Sequence, residues 1–249
     1  MTTARLDSSS LERPIAVVTG AEGGIGNAIV ERLVADGMTV AAVDVRPMKP
    51  AQDYVYNFSC DVADPVQVDA LVRLVEAKVG RASAVVNCAG IGLWFKRIGE
   101  ISAEEWNRVI GVNLSGAFFV SRGFLPALEE QRGSVVNVAS VHGVATAPGY
   151  AAYAASKAGL FGLTKGIAVD YGKDGVRANC IVLGSVDTDM TRDYEAEALQ
   201  RGLVVHQIRP WERTGPESVA DVVSFLLSSG ATFLNGALVP VDGGLLSWL

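Results

Sequence analysis

The order of apolar segments along the chain constrains its fold more than any other feature. Short, continuously apolar runs such as 14–20 (PIAVVTG) and 39–44 (TVAAVD) alternate with longer segments of helical spacing such as 24–37, which ends at Gly37. Strands that alternate with helices form parallel βαβ units, and helices then cover both faces of the sheet. We therefore predict an α/β fold with a single doubly wound domain around a central parallel β-sheet.

A glycine-rich turn follows the first predicted strand and begins the first predicted helix. The stretch TGAEGGIG contains Gly20, Gly24 and Gly26. Glycines at such a junction let the backbone approach a pyrophosphate, which binds to the free N–H groups and the positive dipole end of the helix. Because glycines also mark plain tight turns, this turn alone leaves the question of cofactor binding open.

The second predicted strand ends in Asp44, near the interval of roughly 20 residues expected for a carboxylate that binds ribose hydroxyls. Such a carboxylate repels a 2′-phosphate, so we expect NAD as the cofactor in preference to NADP. Arg46 is the alternative, since a nearby arginine can hold the extra phosphate. We favour the interpretation in which Arg46 is a solvated loop residue or pairs with Asp44.

The stretch YAASK places Tyr153 and Lys157 four residues apart among small residues. On a helix, two such residues share a face, with their Cβ atoms about 5–6 Å apart. A tyrosine with a pKa of about 10 is a poor base at neutral pH, and a neighbouring ammonium lowers that pKa by stabilising the phenolate. The pair can therefore act as a base whose pKa is lowered by a cation, although a lone pair of this kind is usually a solvated helical pair.

Charge restricts the classes of partner. The chain has a net charge of −6 and no block of basic residues, so we expect neither nucleic acid nor an anionic membrane as a partner. The segment 133–156 carries no formal charge, but Asn137, Pro148 and several serines and glycines interrupt it, so we do not predict a membrane span there.

Cysteines, histidines and the N-terminus indicate a cytoplasmic protein without a metal. Cys60, Cys88 and Cys180 are far apart and form no CxxC motif, which favours free thiols in a reducing compartment. The two histidines, His142 and His206, have no clustered ligands, so we predict no metal site. Residues 1–13 lack the apolar run of a signal peptide and are predicted to form a flexible tail.

Taken together, these motifs resemble the short-chain dehydrogenase/reductase family from about Pro14 to the C-terminus. The matching stretches are TGAEGGIG (19–26), DV (61–62), NCAG (87–90), GVNLSG (111–116), NVASVHG (137–143), YAASK (153–157) and GALVPVDGG (236–244). Cys88 and Leu183 depart from the pattern, since the family usually has Asn and Pro at those positions. The resemblance implies a Rossmann-type domain over 14–249 and an NAD(P)-dependent oxidoreductase.

By this resemblance, four residues form a catalytic tetrad. Tyr153 would be the base, Ser140 would bond the substrate oxygen, Lys157 would bond the nicotinamide ribose, and Asn113 would anchor a water that leads protons from Lys157 to solvent. The implied cofactor-binding residues are Gly20, Gly24, Ile25, Gly26, Asp44, Asp61, Val62, Asn87, Ala89, Gly90, Tyr153, Lys157, Gly184, Val186 and Thr188.

The substrate side is less constrained. The charged segment 186–211 begins just after a predicted strand end, so we interpret it as a lid that includes His206. Candidates for the substrate pocket are Trp94, Phe95, Met190 and Tyr194, although aromatic residues beside a core often serve packing alone.

His142 is a further pocket candidate. If the chain stays extended past Ser140, residues i and i+2 point the same way and His142 faces the substrate. If the chain instead turns at Gly143, His142 points into solvent. Both alternatives remain open.

The function predicted from these features is NAD-dependent interconversion of a secondary alcohol and a ketone by the Tyr-Lys-Ser-Asn tetrad. The alternatives are a catalytically silent NAD-binding regulatory protein and an NADP-dependent 3-oxoacyl reductase; an epimerase or dehydratase is disfavoured by the short C-terminal region. We also expect a homotetramer, or failing that a dimer. By resemblance, its interface helices carry Gly116, Ala117, Phe118, Ala154, Ala158 and Gly162.

Overall fold

The computed structural model describes residues 13–50, 52–203 and 213–247, and in these ranges the chain forms a central sheet of seven parallel strands. The strands of this sheet are β1 (Ile15–Thr19), β2 (Thr39–Asp44), β3 (Val55–Ser59), β4 (Ala84–Asn87), β5 (Ser134–Ser140), β6 (Arg177–Leu183) and β9 (Leu238–Val241). Two short strands between β6 and β9, β7 (Ser185–Val186) and β8 (Arg213–Thr214), pair with each other. The sheet has the order β3-β2-β1-β4-β5-β6-β9. The predicted doubly wound parallel sheet is therefore confirmed.

Helices cover both faces of this sheet. They are α1 (Gly24–Ala35), α2 (Pro65–Lys78), α3 (Ala103–Ile110), α4 (Gly116–Gln131), α5 (Ala151–Tyr171), α6 (Asp189–Gln200) and α7 (Pro216–Leu227). The side chains of α1 and α7 pack on one face, and those of α2, α4 and α5 pack on the other. Neighbouring strand residues such as Val17 and Val18 point to opposite faces, and both are fully buried. This double coverage is why the strands are continuously apolar in sequence.

The strand order reverses between β1 and β4. β1 pairs with β2 on one side and with β4 on the other, and all three run parallel. In open parallel sheets, such a reversal leaves a crevice outside the carboxyl ends of the strands, and ligands bind there. Four candidate or polar residues end their strands at this edge: Thr19, Asp44, Asn87 and Ser140.

Helices α3 and α4 form one continuous helix through a π-type turn at Gly111–Ser115. The combined helix, Ala103–Gln131, is long and apolar enough to cross a membrane by composition alone, with a mean hydropathy of 1.2 over an 18-residue window. Its Val120, Phe124 and Leu128 are fully buried against the sheet. A core helix passes the same test of length and composition, so the window is weak support for a membrane span.

The last residue of the predicted tail, Arg13, contacts the rest of the fold. Arg13 donates hydrogen bonds of 2.9 Å from Nε to the Gly37 carbonyl and from Nη2 to the Val34 carbonyl, and its guanidinium lies 3.6 Å from the centre of the Tyr54 ring. Arg13 therefore contacts two carbonyls at the end of α1 and an aromatic face, and the flexible tail over 1–13 stays a prediction. Residues 1–12 lie outside the described residues.

The described part of the predicted lid contains helix α6. Residues 204–212, which include His206, lie outside the described residues, so the lid stays a prediction.

The three cysteines are free thiols, and burial raises the pKa of Cys60 to about 11 and that of both Cys88 and Cys180 to about 12.

Candidate functional site

The glycine-rich turn is held in a shape that other residues could not adopt. Gly20 has a φ of +69°, in the left-handed region that favours glycine. A Cβ atom on Gly26 would lie 2.0 Å from the carbonyl oxygen of Gly20, so any side chain there would force α1 away from the turn. Gly23, which precedes α1, has no side chain to cap the helix. The first N–H groups of α1 are therefore left for an anionic ligand.

The loop after β4 is fixed beside this turn. The hydroxyl of Thr19 accepts hydrogen bonds of 3.1 Å from the N–H groups of both Cys88 and Ala89. A Cβ atom on Gly20 would lie 2.8 Å from the Ala89 Cα atom, so the two backbones are in close contact. This contact places Ala89 and Gly90 at the crevice, where the resemblance predicts them.

The side chain of Asn87, in contrast, points into the helix layer. Its Nδ2 donates to Ser121 Oγ at 2.9 Å and to Asn137 Oδ1 at 2.8 Å, and Asn137 Nδ2 in turn donates to Thr164 Oγ1 at 2.8 Å. These residues tie β4 and β5 to α4 and α5. Asn87 was predicted to bind the cofactor, and its buried side chain does not reach the crevice. Asn137, a polar residue inside an apolar strand, was the sequence signal for this network.

Asp44 and Arg46 form an ion pair at the end of β2. Arg46 donates from Nε to Oδ1 and from Nη2 to Oδ2 of Asp44, each over 3.1 Å, and the backbone N–H groups of Arg46 and Glu22 also donate to this carboxylate. Burial alone would raise the pKa of Asp44, but the hydrogen bonds from Arg46 and Glu22 outweigh it and hold the pKa below its usual value. The predicted pairing of Arg46 with Asp44 is confirmed.

The end of β3 and the turn after β6 complete the cofactor side. Asp61 accepts a hydrogen bond of 2.9 Å from the N–H of Ala63, and Val62 is buried against Gly116. The remaining predicted cofactor residues here are Ile25, Gly184, Val186 and Thr188. Ile25 lies in the first turn of α1, Val186 in β7, and Gly184 donates from its N–H to the Val241 carbonyl at 3.0 Å.

Thr188 connects α6 to the glycine-rich turn. It is the N-cap of α6, and its side chain accepts a hydrogen bond from the Thr191 N–H. Its methyl group lies 3.2 Å from the position of a Cβ atom on Gly24. Thr188 therefore lies across the crevice from the N-terminus of α1.

Ser140, Tyr153 and Lys157 converge at the carboxyl end of β5. Ser140 is the last residue of β5, and Tyr153 and Lys157 lie one turn apart in α5. Tyr153 lies close enough to Ser140 for this serine to oppose the rise in the tyrosine's pKa that burial causes. Lys157 is 5 % exposed, its Nζ donates to the Val138 carbonyl at 2.9 Å, and Nζ lies 5.7 Å from the centre of the Tyr153 ring.

Burial is the largest influence on the pKa values of Tyr153 and Lys157. Burial raises the pKa of Tyr153, and the hydrogen bond from Ser140 only partly opposes that rise. Burial likewise lowers the pKa of Lys157. The predicted lowering of the Tyr153 pKa by Lys157 together with a positive nicotinamide ring concerns the protein with its cofactor bound, and it stays a prediction.

Asn113 lies in the π-type turn and holds the loop after β4 against α5. Its Nδ2 donates to the Ile91 carbonyl at 2.9 Å and to Ser156 Oγ at 3.0 Å, and its Oδ1 accepts from the Ile91 N–H at 2.8 Å. A Cβ atom on Gly90 would lie 3.3 Å from Lys157 Nζ and 3.5 Å from Asn113 Oδ1. The structure thus brings all four residues of the predicted tetrad to one region.

On the substrate side, five aromatic rings form what we call the aromatic wall: Trp94, Phe95, His142, Tyr150 and Tyr194. The Phe95 and Tyr194 rings are stacked with centres 4.9 Å apart, and Trp94 meets Tyr194 edge to face at 5.5 Å. Tyr150 lies 5.8 Å from Tyr194 and is the member that sequence reasoning missed. Its signal was a second tyrosine one helical turn before Tyr153. Met190, also predicted for the pocket, is exposed in the first turn of α6.

His142 follows neither of the two predicted alternatives. The chain turns immediately after Ser140, in a 3₁₀ turn at Val141–Gly143, so it does not stay extended. The ring nevertheless does not point into solvent. It stacks on Tyr150 with centres 4.1 Å apart and meets Tyr153 edge to face at 6.1 Å.

Contacts from α6 connect the predicted lid to the loop after β4. Trp94 donates from Nε1 to Glu197 Oε2 at 2.9 Å, and Arg201 pairs with Glu197 at 2.7 Å while its guanidinium lies 5.4 Å from the Phe95 ring centre.

Within the described ranges, no three His, Cys, Asp or Glu side chains cluster as a metal site requires.

Comparisons with known proteins agree with this geometry. A family model described as enoyl-(acyl carrier protein) reductase matches residues 20–246. The meso-2,3-butanediol dehydrogenase of Serratia marcescens is 35% identical over 240 residues, and the alignment covers 94% of each protein. The chain belongs to the short-chain dehydrogenase/reductase family.

Other members of the short-chain dehydrogenase/reductase family match over a similar length. A 3-oxoacyl-[acyl-carrier-protein] reductase of Mycobacterium tuberculosis is 38% identical over 233 residues, covering 92% of this chain and 91% of the relative. The ligand-free structure of Thermoplasma acidophilum aldohexose dehydrogenase matches with a TM-score of 0.86 at 34% identity, covering 96% of each chain. The protein is therefore an oxidoreductase of a family that uses NAD or NADP.

Proposed function

We propose that the protein is an NAD-dependent dehydrogenase that interconverts a secondary alcohol and a ketone. The observation that carries this proposal is the convergence of Ser140, Tyr153 and Lys157 at the edge of the sheet that also holds the glycine-rich turn. Tyr153 would be the proton acceptor, Ser140 the hydrogen-bond donor and Lys157 the cation, and all three lie at the crevice.

The residues of the crevice fit a dinucleotide. Any Cβ atom at Gly26 would meet the carbonyl of Gly20, so the chain keeps the space beside the helix N-terminus free of side chains. Asp44 has its carboxylate at the end of β2, where an adenosine ribose would lie. When bound, a nicotinamide cofactor exchanges a hydride with the reacting carbon and, in its oxidised form, carries a positive charge.

The chain's own residues handle the proton. Ser140 donates a hydrogen bond to the substrate oxygen, and the Tyr153 phenolate removes the proton from the alcohol hydroxyl. Lys157 stabilises that phenolate by its charge, and a further positive charge nearby would lower the raised pKa of Tyr153. In the reverse direction, the Tyr153 hydroxyl returns the proton to the ketone oxygen.

The preference for NAD is supported by Asp44. Its buried carboxylate would repel a 2′-phosphate and accept hydrogen bonds from ribose hydroxyls, each of which contributes about 1.5–3 kcal/mol when one partner is charged. Because Arg46 is already engaged by Asp44 over two hydrogen bonds, it is not free to bind a phosphate unless this pair opens.

An NADP-dependent 3-oxoacyl reductase is the second candidate, supported by the 38% identity to the mycobacterial 3-oxoacyl-[acyl-carrier-protein] reductase. The charges of α6 favour the first candidate. This helix carries Asp189, Asp193, Glu195 and Glu197 against Arg192, so it offers little attraction to an anionic acyl carrier or coenzyme.

A screen of cofactor reduction tests the proposal. Purified protein is incubated with NAD or NADP and a panel of secondary alcohols, and nicotinamide absorbance is followed. In the reverse direction, ketones and a 3-oxoacyl thioester are offered with each reduced cofactor. Turnover of alcohols with NAD supports the first candidate, whereas reduction of the thioester with NADPH alone supports the second.

We also propose that the protein forms a homotetramer. Of the predicted interface residues, Gly116 and Ala117 pack inside the fold, whereas Phe118 is 44% exposed on α4 and Gly162 is exposed on α5. A Cβ atom at Gly162 would meet nothing within 4 Å in the described chain, so another helix could approach closely there. Light scattering at micromolar concentration tests this proposal, and a monomer would contradict it.

A further inference from the structure

His142 is fixed beside the group that would hold the reacting oxygen of the substrate. Its backbone N–H donates to Ser140 Oγ at 3.2 Å, and its Nδ1 lies 3.3 Å from Thr146 Oγ1. The ring stacks on Tyr150 within 10° of parallel. Three separate contacts therefore set the position of this ring, and a position so constrained suits the binding of a ligand.

One ring nitrogen of His142 remains available. Nδ1 is used by Thr146, whereas Nε2 has no hydrogen-bond partner among the residues that the structure describes. Burial lowers the pKa of His142, so its ring is neutral near pH 7 and carries one N–H and one bare nitrogen. Nε2 can therefore donate to or accept from a substrate without adding a charge.

The rest of the aromatic wall is apolar or already paired. Trp94 uses its N–H on Glu197, and the Tyr150 ring lies beside that of Tyr194 with centres 5.8 Å apart. Two cations beside the wall are also engaged: Arg201, which lies near the Phe95 ring, pairs with Glu197, and Lys96, the residue after Phe95, pairs with Glu105. Such a surface suits a small neutral substrate and disfavours one with a carboxylate or phosphate beside the reacting carbon.

From these contacts we propose that His142 Nε2 binds a second oxygen on the carbon next to the reacting carbon, so that the substrate is a small neutral vicinal diol or its hydroxyketone. The proposal rests on the dehydrogenase function proposed above. The rings of His142 and Tyr153 meet edge to face, and His142 is tied directly to Ser140. From this proximity we place the oxygen bound by His142 next to the oxygen bound by Ser140 and Tyr153.

The test compares a diol with a matched alcohol that lacks the second oxygen. The values of kcat/KM are measured with NAD for 2,3-butanediol and for 2-butanol, in wild type, His142→Phe and His142→Gln. Phenylalanine keeps a ring that can stack on Tyr150 but removes the polar nitrogen, and glutamine keeps a hydrogen-bonding group. Val144→Thr, at a 59% exposed position of the same loop, is the control.

We expect wild type to prefer the diol by about tenfold or more, since a polar site discriminates against an analogue that leaves it unpaired. His142→Phe should abolish most of that preference, largely through KM for the diol, and His142→Gln should restore part of it. Val144→Thr should keep the wild-type ratio.

Three results would overturn the inference, and they show whether the dehydrogenase function fails with it. The role of His142 is overturned if wild type oxidises 2-butanol at least as efficiently as 2,3-butanediol. It is also overturned if the ratio of kcat/KM for the diol to that for 2-butanol is unchanged in His142→Phe. Either result leaves the dehydrogenase function standing. If folded, NAD-binding wild type oxidises neither compound nor any other secondary alcohol in the panel, both proposals are overturned together.

Discussion

Arg46 holds Asp44 by two hydrogen bonds of 3.1 Å, from Nε to Oδ1 and from Nη2 to Oδ2. The same Nη2 lies 3.5 Å from where a Cβ atom on Gly23 would be, next to the glycine-rich turn. One guanidinium therefore balances the buried carboxylate and stands beside the expected phosphate site. The strength of this pair sets how readily Arg46 could turn to a 2′-phosphate.

Asp44→Ala should shift the cofactor preference toward NADP. The substitution removes the acceptor for ribose hydroxyls and releases Arg46, so the ratio of kcat/KM for NAD to that for NADP should fall about tenfold or more, as the loss of a charge-assisted hydrogen bond implies. Arg46→Gln is the matched control and should leave or raise the preference for NAD. A wild-type enzyme that prefers NADP would contradict this interpretation of the pair.

Ser140→Ala should move the pH dependence of alcohol oxidation. The hydrogen bond from Ser140 lowers the pKa of Tyr153, against the rise that burial causes. Oxidation requires the phenolate, so its rate rises with pH through the pKa of Tyr153. Removing the hydrogen bond raises that pKa, and the rising limb of kcat/KM should therefore shift to higher pH. A pH–rate profile with the limb unmoved would show that Ser140 does not act on Tyr153.

Glu197→Ala should weaken substrate binding more than catalysis. Glu197 accepts from Trp94 Nε1 at 2.9 Å and joins α6 to the loop that carries Trp94 and Phe95 of the aromatic wall. Loss of one hydrogen bond to this partly exposed carboxylate, roughly 0.5–1.5 kcal/mol, predicts a rise in KM of about two- to tenfold with kcat little changed. The control is Asp193→Ala, at an exposed position of the same helix. Equal KM values in the two variants would count against a role for Glu197 in closing the pocket.

Gly26→Ala should abolish NAD binding. The new Cβ atom would lie 2.0 Å from the Gly20 carbonyl oxygen, so the turn and the N-terminus of α1 cannot keep their positions. Gly166→Ala, on the exposed side of α5 with nothing within 4 Å of the new atom, is the control and should keep NAD binding. Calorimetric titration with NAD measures the binding, and thermal unfolding shows whether each variant folds. A folded Gly26→Ala protein that binds NAD normally would refute the role of the glycine-rich turn in binding the cofactor.

Much of the site followed from local geometry that sequence can reveal. The approach of Tyr153 and Lys157 depends only on their spacing on one helix. The glycine-rich turn and Asp44 each follow an apolar strand, and the carboxyl ends of parallel strands share one edge of the sheet. The resemblance added Ser140 and Asn113, which the structure also brings to this edge.

What the sequence could not predict depends on which layer covers which face and on how loops turn. Asn87 points the same way as Val85, because alternate strand residues share a face, and Val85 packs against the layer of α2, α4 and α5. Sequence alone does not tell which layer lies on that side. The stacking of His142 on Tyr150 likewise depends on a 3₁₀ turn that starts directly after Ser140, and no spacing rule predicts that turn.

The most direct test of the proposed chemistry is the kcat of Tyr153→Phe for the best alcohol in the panel, measured alongside NAD affinity. The substitution removes one oxygen atom, so the ring can keep its place in α5 and NAD should still bind. Because general-base catalysis contributes about 10²–10⁴-fold, kcat should fall by at least a hundredfold. A variant that binds NAD and retains more than about a tenth of wild-type kcat would contradict Tyr153 as the base.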